Sequence, residues 1–190
     1  MDCKEFFNNM ADKWDTFCQH DKEKIEKIIA LSDVQKNSRI LDVGTGTGVL
    51  ISYLLETAPS KITAIDISEN MISMAKQKCN DERVAFIVED VMKYKEEGFD
   101  YIFLYSVYPH FPDKEALFTQ LEKILNDNGK IIIAHSESKE KINKIHQNNE
   151  QTKNDSLLQV KDTAKIMSKY FDVGRMIDND EMYYITGLKK

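Results

Sequence analysis

Short apolar runs alternate along the chain with longer stretches in which apolar residues recur every three or four positions. The runs predict buried strands, and the stretches predict amphipathic helices that pack against them. Alternation of strand and helix favours a doubly wound α/β sheet whose strands run parallel. The last two runs flank a polar turn and predict a C-terminal antiparallel hairpin. The seven predicted strands lie near 40–43, 61–67, 83–88, 99–105, 130–134, 171–177 and 181–188.

The N-terminal stretch 4–18 has a strong apolar stripe at helical spacing. A second helix is expected over 22–31, so residues 1–37 form a helical cap in front of the first strand. The stripe predicts a helix that docks against the rest of the domain. Its members are Phe6, Phe7, Met10, Ala11, Trp14, Phe17 and Cys18.

A glycine-rich turn follows the first predicted strand, in the sequence SRILDVGTGTGVL. Glycines let the backbone turn sharply and let a ligand approach the main chain, and the following helix directs its first N–H groups at the same place. The spacing does not fit the dinucleotide pattern G-x-G-x-x-G, because the third small position falls on Val49 or Ile51. It fits acid-x-G-x-G-x-G, formed by Asp42, Gly44, Gly46 and Gly48.

Acidic residues follow the second and third predicted strands. Asp66 lies 22 residues beyond Gly44 at the end of the second strand, where a carboxylate can accept two ribose hydroxyls. Glu89 and Asp90 follow the third strand in the same way. Because the carboxyl ends of parallel strands meet at one edge of a sheet, these acids are expected near the glycine turn.

With these motifs and the terminal hairpin, residues 4–190 resemble the class I S-adenosylmethionine (SAM) methyltransferases, which have a Rossmann-like fold. The resemblance is greatest to the small-molecule branch that includes the quinone-biosynthesis C-methyltransferases. It implies SAM as the cofactor and a small molecule as the methyl acceptor. It also implies that the N-terminal segment FFNNMADKWD covers the cofactor as a lid, which is compatible with a docked helix.

The resemblance assigns cofactor roles to individual residues. The three glycines shape the turn, and Asp42 orients it and reaches the methionine amino group. Asp66 holds the ribose, and Met71 packs on the adenine, although a methionine at that spacing is also typical of a core. Either acid after the third strand could accept the adenine amino group, and the pattern favours Asp90. The cofactor residues are thus Asp42, Gly44, Gly46, Gly48, Asp66, Met71 and Asp90.

Three of the four histidines lie after the fourth and fifth strands, on the side expected for the acceptor. They fit three interpretations: separate structural residues, a general base or orienting group, or ligands of a metal or metal-bearing substrate. Their spacing matches no standard metal motif, so no metal is predicted. Tyr108 could contact the acceptor or pack in the core. The candidate catalytic residues are His110, His135, His146 and Tyr108.

The segment after the fifth strand has no counterpart in a simple strand–helix alternation. A helix over 139–147 would turn His146 inward on one face with Ile142 and Ile145. Residues 147–155 are polar and predict a loop or mobile insertion. The chain is thus divided into the 1–37 cap, a 38–134 SAM-binding core, a 135–165 acceptor-side segment and a 166–190 hairpin region.

Composition excludes several classes of protein. A length of 190 residues with 42% hydrophobic residues suits one domain with a real core. The net charge of −6 argues against a nucleic-acid partner, and no apolar run is long enough for a membrane span. The N-terminus lacks the apolar region of a signal peptide, and Cys3, Cys18 and Cys79 are odd in number and widely spaced, which favours neither a disulfide framework nor a zinc motif. A cytoplasmic protein is therefore expected. The expected oligomeric state is a monomer or a homodimer.

Three other functions compete with this interpretation. A nicotinamide-dependent oxidoreductase is disfavoured by the glycine spacing and by the terminal hairpin. A non-catalytic SAM-binding protein would share the cofactor motifs and tolerate substitution of the histidines. Methylation of nucleic acid or protein is disfavoured by the acidic balance, and the fourth strand ends in Leu104-Tyr105-Ser106-Val107 rather than in an N/D-P-P-Y/F motif.

Overall fold

The computed structural model describes residues 3–190, so the first two residues of the predicted cap lie outside the described part of the chain. The described residues form a seven-stranded sheet in the order β3-β2-β1-β4-β5-β7-β6. The first five strands pair in parallel, and β7 runs antiparallel to β5 and β6, as predicted. The strands are β1 (Arg39–Val43), β2 (Lys61–Asp66), β3 (Val84–Val88), β4 (Phe99–Tyr105), β5 (Leu125–His135), β6 (Phe171–Asp178) and β7 (Tyr183–Lys189).

Helices pack on both faces of the sheet. Alternate residues of β4 enter two different cores, because side chains alternate across a strand: Ile102 and Leu104 face one, Tyr101 and Phe103 the other. The helices are α1 (Cys3–Met10), α2 (Trp14–Phe17), α3 (Lys22–Ser32), α4 (Ile51–Glu56), α5 (Glu69–Lys78), α6 (Lys114–Ile124), α7 (Lys139–Gln147) and α8 (Val160–Met167). None of the helices within residues 3–190 is long and apolar enough to cross a membrane.

Two elements differ most from the prediction, and the other boundaries differ by one or two residues. The single helix expected over 4–18 is divided into α1 and α2 by a short 3₁₀ segment, Ala11–Lys13. The fifth strand begins at Leu125 rather than at residue 130, since the polar residues 126–129 form an irregularity within the pairing with β4. The Asn126 amide donates to Asp100 Oδ1 at 2.7 Å. This hydrogen bond holds the irregular residues against β4, so they do not form a separate turn before the strand.

Candidate functional site

A cavity of about 800 Å³ lies at the carboxyl ends of the parallel strands, which is where open α/β sheets bind ligands. Its volume falls within the roughly 300–1,000 Å³ that is usual for small-molecule sites. The ends of β1 to β5 form its floor, and the N-terminal helices, α7 and residues 149–152 also line it. One cavity therefore combines the predicted cofactor motifs with the predicted acceptor side.

The glycine turn between β1 and α4 requires glycine at each predicted position. Gly44, Gly46 and Gly48 have φ angles of 68°, 55° and 85°, a region that L side chains rarely adopt. A Cβ on Gly44 would lie 2.4 Å from Val107 Cγ2, so the turn approaches the end of β4 closely. Gly44 and Gly46 line the cavity, whereas Gly48 faces α5, where its Cβ would lie 3.3 Å from Ala75 Cβ. Gly48 therefore serves helix packing and does not contact the cavity.

Asp42 is buried within β1 and is not among the residues that line the cavity. Among the described residues its Oδ2 has no hydrogen-bond partner. Burial, opposed by Thr45 and reinforced by the Asp66 charge, raises the pKa of Asp42 to about 7. The expected reach of Asp42 to a methionine amino group is therefore not supported, because β1 holds the carboxyl inside the sheet.

Asp66 ends β2 with its carboxylate at the cavity wall. Its Oδ2 accepts the Gly46 N–H and its Oδ1 accepts the Ser68 N–H, each at 2.9 Å. Burial raises the pKa of Asp66, and these two N–H groups oppose the shift by stabilising the anion. Each oxygen keeps a second lone pair, so the carboxylate can still accept two hydroxyl groups.

Met71, Glu89 and Asp90 line the same part of the cavity. Asp90 Oδ1 accepts the Met92 N–H at 2.9 Å, and Glu89 Oε1 accepts the Asp90 N–H at 3.0 Å. Both acids thus lie where an adenine acceptor was expected, and their contacts do not separate them.

The N-terminal helices dock over the cavity. Phe6, Phe7, Met10 and Trp14 line it, and the Phe7 ring meets the His110 ring edge-on with centroids 5.4 Å apart. Asp15 accepts the Thr47 hydroxyl at 2.6 Å and also pairs with Lys78, so the cap contacts both the glycine turn and α5. Most of the apolar stripe thus docks against the domain at this cavity, whereas Phe17 is exposed.

All four histidines of the sequence line the cavity. His110 Nδ1 lies 2.7 Å from Asp155 Oδ2, and His146 Nδ1 lies 2.8 Å from the Asp155 carbonyl oxygen. The two rings are neighbours, with centroids 5.1 Å apart. His20 joins them from the cap, with its Nδ1 2.8 Å from the Tyr105 hydroxyl.

His135 lies at the end of β5 and is only 1% exposed. Its ring meets the Tyr183 ring edge-on at 6.0 Å, and among the described residues neither ring nitrogen has a hydrogen-bond partner. Burial lowers the pKa of His135 to about 3, and the neighbouring histidines add to the shift. The imidazole is therefore neutral at physiological pH, with one donor and one acceptor unused.

Tyr108 does not reach the cavity. Its ring is fully buried, stacks on Phe118 at 6.0 Å and lies 4.4 Å from Lys114 Nζ. Lys114 in turn donates to the carbonyl oxygens of Tyr108, Pro109 and Phe111, which fixes the turn after β4. The turn directs Tyr108 into the core, so the structure does not support its predicted contact with an acceptor.

Three features of the site were not predicted from the sequence. His20 lies in a short connection without periodicity, and Asp155 lies in a polar segment expected to be a loop or mobile insertion. Ser106 has a φ of 56°, an unusual value for a residue other than glycine, and such strain is common at functional sites. Ile145 was expected to be turned inward, yet it is 53% exposed and lies at the rim of the cavity.

Within residues 3–190, no group of three or more His, Cys, Asp or Glu side chains is placed to hold a metal ion. The arrangement instead provides hydrogen-bonding groups on one side of the cavity and a glycine turn with a carboxylate on the other.

Comparison with known proteins identifies relatives of the chain. The methyltransferase domain family matches residues 34–186. Malonyl-[acyl-carrier protein] O-methyltransferase 1 of Ilyobacter polytropus is 36% identical over 129 residues, which is 66% of this chain and 48% of that protein. Phosphoethanolamine N-methyltransferase 2 of Caenorhabditis elegans is 30% identical over 116 residues, 58% of this chain and 26% of that protein. The chain thus spans about half of the first relative and about a quarter of the second.

These relatives correct one expectation. They are named for malonyl-[acyl-carrier protein] and for phosphoethanolamine, so they do not support the narrower resemblance to quinone-biosynthesis C-methyltransferases.

Solved structures share the fold. A complex of the Haloferax volcanii Trm112 methyltransferase activator with a protein described as a methyltransferase matches with a TM-score of 0.85 and 14% identity, over 98% of this chain and 96% of that one. Haemonchus contortus phosphoethanolamine N-methyltransferase 2 in complex with SAM matches with a TM-score of 0.75 and 18% identity, over 96% of this chain and 60% of that one. At such identities the likeness shows the fold alone, but the family match covers most of the sequence. The chain therefore belongs to the methyltransferase domain family of SAM-dependent enzymes.

Proposed function

We propose that the protein transfers a methyl group from SAM to a small-molecule acceptor. One observation carries the proposal: the glycine turn, the Asp66 carboxylate and four imidazoles line a single cavity beneath the N-terminal helices. A protein that only binds SAM would need the glycine turn and the carboxylate. It would not need four histidines on the other side of the cavity.

The residues of the turn fit SAM. Gly44 and Gly46 offer a backbone without side chains at the cavity, and Asp66 has two carboxylate oxygens with free lone pairs beside them. Met71 offers an apolar surface for the adenine, and Asp90 a carboxylate for its amino group. When bound, SAM supplies a methyl group on a positively charged sulfur, which is already activated for transfer.

The remaining catalytic work is positioning and removal of a proton. The N-terminal helices lie over the cavity, and we expect them to limit the access of water to the transferred methyl group. An O–H or N–H acceptor gives up its proton on methylation, and His110 is a candidate to receive it at Nε2, since Nδ1 faces Asp155. A carboxylate partner of this kind orients an imidazole and stabilises its protonated form.

A small molecule is the acceptor that the cavity favours. The cap covers the carboxyl edge of the sheet, and its aromatic residues line the same space as the histidines. The acceptors named for the relatives, malonyl-[acyl-carrier protein] and phosphoethanolamine, differ widely from each other, so the family does not choose between them.

Calorimetric titration of S-adenosylhomocysteine (SAH) and of NADH into the protein tests this function. We expect SAH to bind and NADH not to bind. Replacing Asp66 by Ala removes the proposed ribose contacts and should weaken SAH binding by about tenfold or more, because one or two hydrogen bonds to a charged group are lost. Asp66→Asn is the matched variant that keeps the side-chain shape. Unchanged SAH affinity in both variants would remove Asp66 from this role, and a lack of SAH binding by the native protein would refute the function.

A further inference from the structure

Three of the cavity histidines have tautomers that are fixed by their partners. The Asp155 carbonyl oxygen can only accept, so His146 Nδ1 carries the proton and donates it. The ionised Asp155 carboxylate likewise only accepts, so His110 Nδ1 is also a donor. The second ring nitrogen, Nε2, is a hydrogen-bond acceptor whenever the ring carries a single proton.

His20 follows the same rule through a longer chain of contacts. Burial raises the pKa of Tyr105 to about 12, so its hydroxyl keeps its proton and donates it to Ser136 Oγ at 2.8 Å. The Tyr105 oxygen consequently accepts from His20 Nδ1, and His20 Nε2 is left as an acceptor. Three of the rings that line the cavity thus carry an acceptor nitrogen, and His135 adds one donor and one acceptor without partners among the described residues.

Positive charge is scarce in the same region. Among the described lining residues there is no arginine, and the lysine present is Lys141, whose side chain is 58% exposed. Lys141 is paired with Glu137 at 2.8 Å. A phosphate or carboxylate in this half of the cavity would lose water without gaining a buried cation, which is costly.

A cationic acceptor is disfavoured by the same surroundings. Burial lowers the pKa of His20 and of His146, so this part of the cavity already penalises a protonated nitrogen. The rim is apolar, with Phe17, Met92 and Ile145 exposed at 68%, 37% and 53%. An apolar body with few charges fits this entrance.

We propose that the acceptor is an uncharged, largely apolar molecule that presents O–H donors to the imidazole wall of His20, His110, His135 and His146. The inference rests on the proposed function and specifies its substrate class. It excludes the phosphorylated and carboxylated acceptors named for the relatives. Neither ring nitrogen of His135 has a hydrogen-bond partner among the described residues, so we assign the central contact with the acceptor to this residue.

Calorimetry on the SAH-saturated protein tests this class directly. The probes are catechol, 1,2-dimethoxybenzene (the same ring without O–H donors), phosphoethanolamine and malonate. We expect catechol to bind, and each of the other three probes to bind more weakly by about tenfold, the effect of losing one or two buried hydrogen bonds or of burying an unpaired anion.

Substitution of His135 then assigns the contact. His135→Leu should weaken catechol binding by about tenfold, while SAH affinity stays unchanged, and His135→Asn should restore part of the loss because it keeps a donor and an acceptor. Tyr184→Phe is the control, since its hydroxyl is buried against Ser32 outside the cavity. This variant should bind both ligands normally.

The outcomes distinguish failure of the proposed acceptor class from failure of the proposed methyltransferase function. Equal binding of catechol and its dimethyl ether, tighter binding of phosphoethanolamine or malonate, no binding of catechol, or an unaffected His135→Leu variant would each overturn this inference while SAH binding upholds the proposed function. Failure of the native protein to bind SAH would overturn both.

Discussion

Asp42 carries a carboxyl group into a fully buried position within β1. Its pKa is raised from 3.8 to about 7, so the folded state binds this proton more tightly than the unfolded state does. The carboxyl is neutral in both states below about pH 4, and ionisation costs folding free energy progressively as pH rises to about 7. The cost above that window is up to about 4 kcal/mol, from the size of the shift.

Asp42→Asn should remove this pH dependence. An amide does not ionise, so the variant should gain stability relative to the native protein by up to about 4 kcal/mol between pH 4 and pH 8. Urea unfolding of both proteins without ligand at several pH values measures the difference, and groups that titrate in both proteins cancel. A stability difference that stays constant over this range would show that Asp42 has an ordinary pKa.

Residue spacing places only part of each half of the cavity. The glycine spacing and the position of Asp66 after β2 follow from backbone requirements, and the structure places Gly44, Gly46 and Asp66 at one cavity. On the acceptor side, Tyr108 was predicted at the cavity and lies in the core, whereas His20 was not predicted and lines the cavity. Whether a side chain after a strand enters the cavity or the core depends on the local turn, which Lys114 fixes from a distance of several residues.

At the scale of elements, Asn8 joins the covering helix α1 to the start of α5. Asn8 Oδ1 accepts the Ser68 hydroxyl at 2.6 Å and the Asn70 N–H at 3.2 Å. The Asn8 amide also donates to Glu69 at 3.1 Å. These contacts hold the lid directly beside Asp66, because Ser68 follows the end of β2.

Asn8→Ala should therefore loosen the lid. We expect SAH to dissociate about tenfold faster, since two or three hydrogen bonds worth roughly 1 kcal/mol each are lost. Stopped-flow displacement of SAH measures the rate. Lys4→Ala is the matched control on the same helix, because Lys4 makes an exposed ion pair with Glu69 at 2.5 Å and such pairs contribute little. Equal rates in Asn8→Ala and the native protein would show that the lid does not retain the ligand.

Asn143 connects α7 to the segment that carries Asp155. Its Nδ2 donates to the Leu157 carbonyl at 3.0 Å, and its Oδ1 accepts the Leu157 N–H at 2.7 Å. This pair of bonds places Asp155 beside His110 and His146. The polar segment predicted as a loop is therefore held at the cavity by hydrogen bonds between residues that are far apart in the sequence. A local sequence pattern does not predict such bonds.

Asn143→Ala should release this segment. Loss of both bonds should speed hydrogen exchange of the Leu157 amide by about tenfold or more, because the amide loses its acceptor. Mass spectrometry of peptides covering 148–158 measures the exchange, with Gln147→Ala, an exposed position on the same helix, as the control. The account would be contradicted by native-like exchange in Asn143→Ala, or by the same increase in the control.

At the scale of the whole molecule, periodicity determines most of the architecture. Parallel pairing and the terminal hairpin follow from the order of strands and helices, because crossover connections allow few alternatives. The start of β5 was missed, since a polar Asn-Asp-Asn-Gly sequence is typical of a turn while its anchoring to Asp100 depends on the neighbouring strand. Local sequence patterns therefore predict the helices and strands. Contacts between residues that are distant in the sequence determine where those elements begin and end.

The cavity is formed by residues from distant parts of the chain. The sheet brings the carboxyl ends of β1 to β5 to one edge, and the cap and the segment after α7 enclose that edge from two sides. A cofactor half and an acceptor half thus arise from the topology, although their residues are spread from the cap to Asp155 along the chain.

A crystal structure of the protein with SAH tests the central claim most directly. The account predicts the ribose hydroxyls on Asp66, the adenine beside Met71 and Asp90, and the sulfur directed toward the half of the cavity that His110, His135 and His146 line. Density for SAH elsewhere, or with its ribose away from Asp66, would contradict the account.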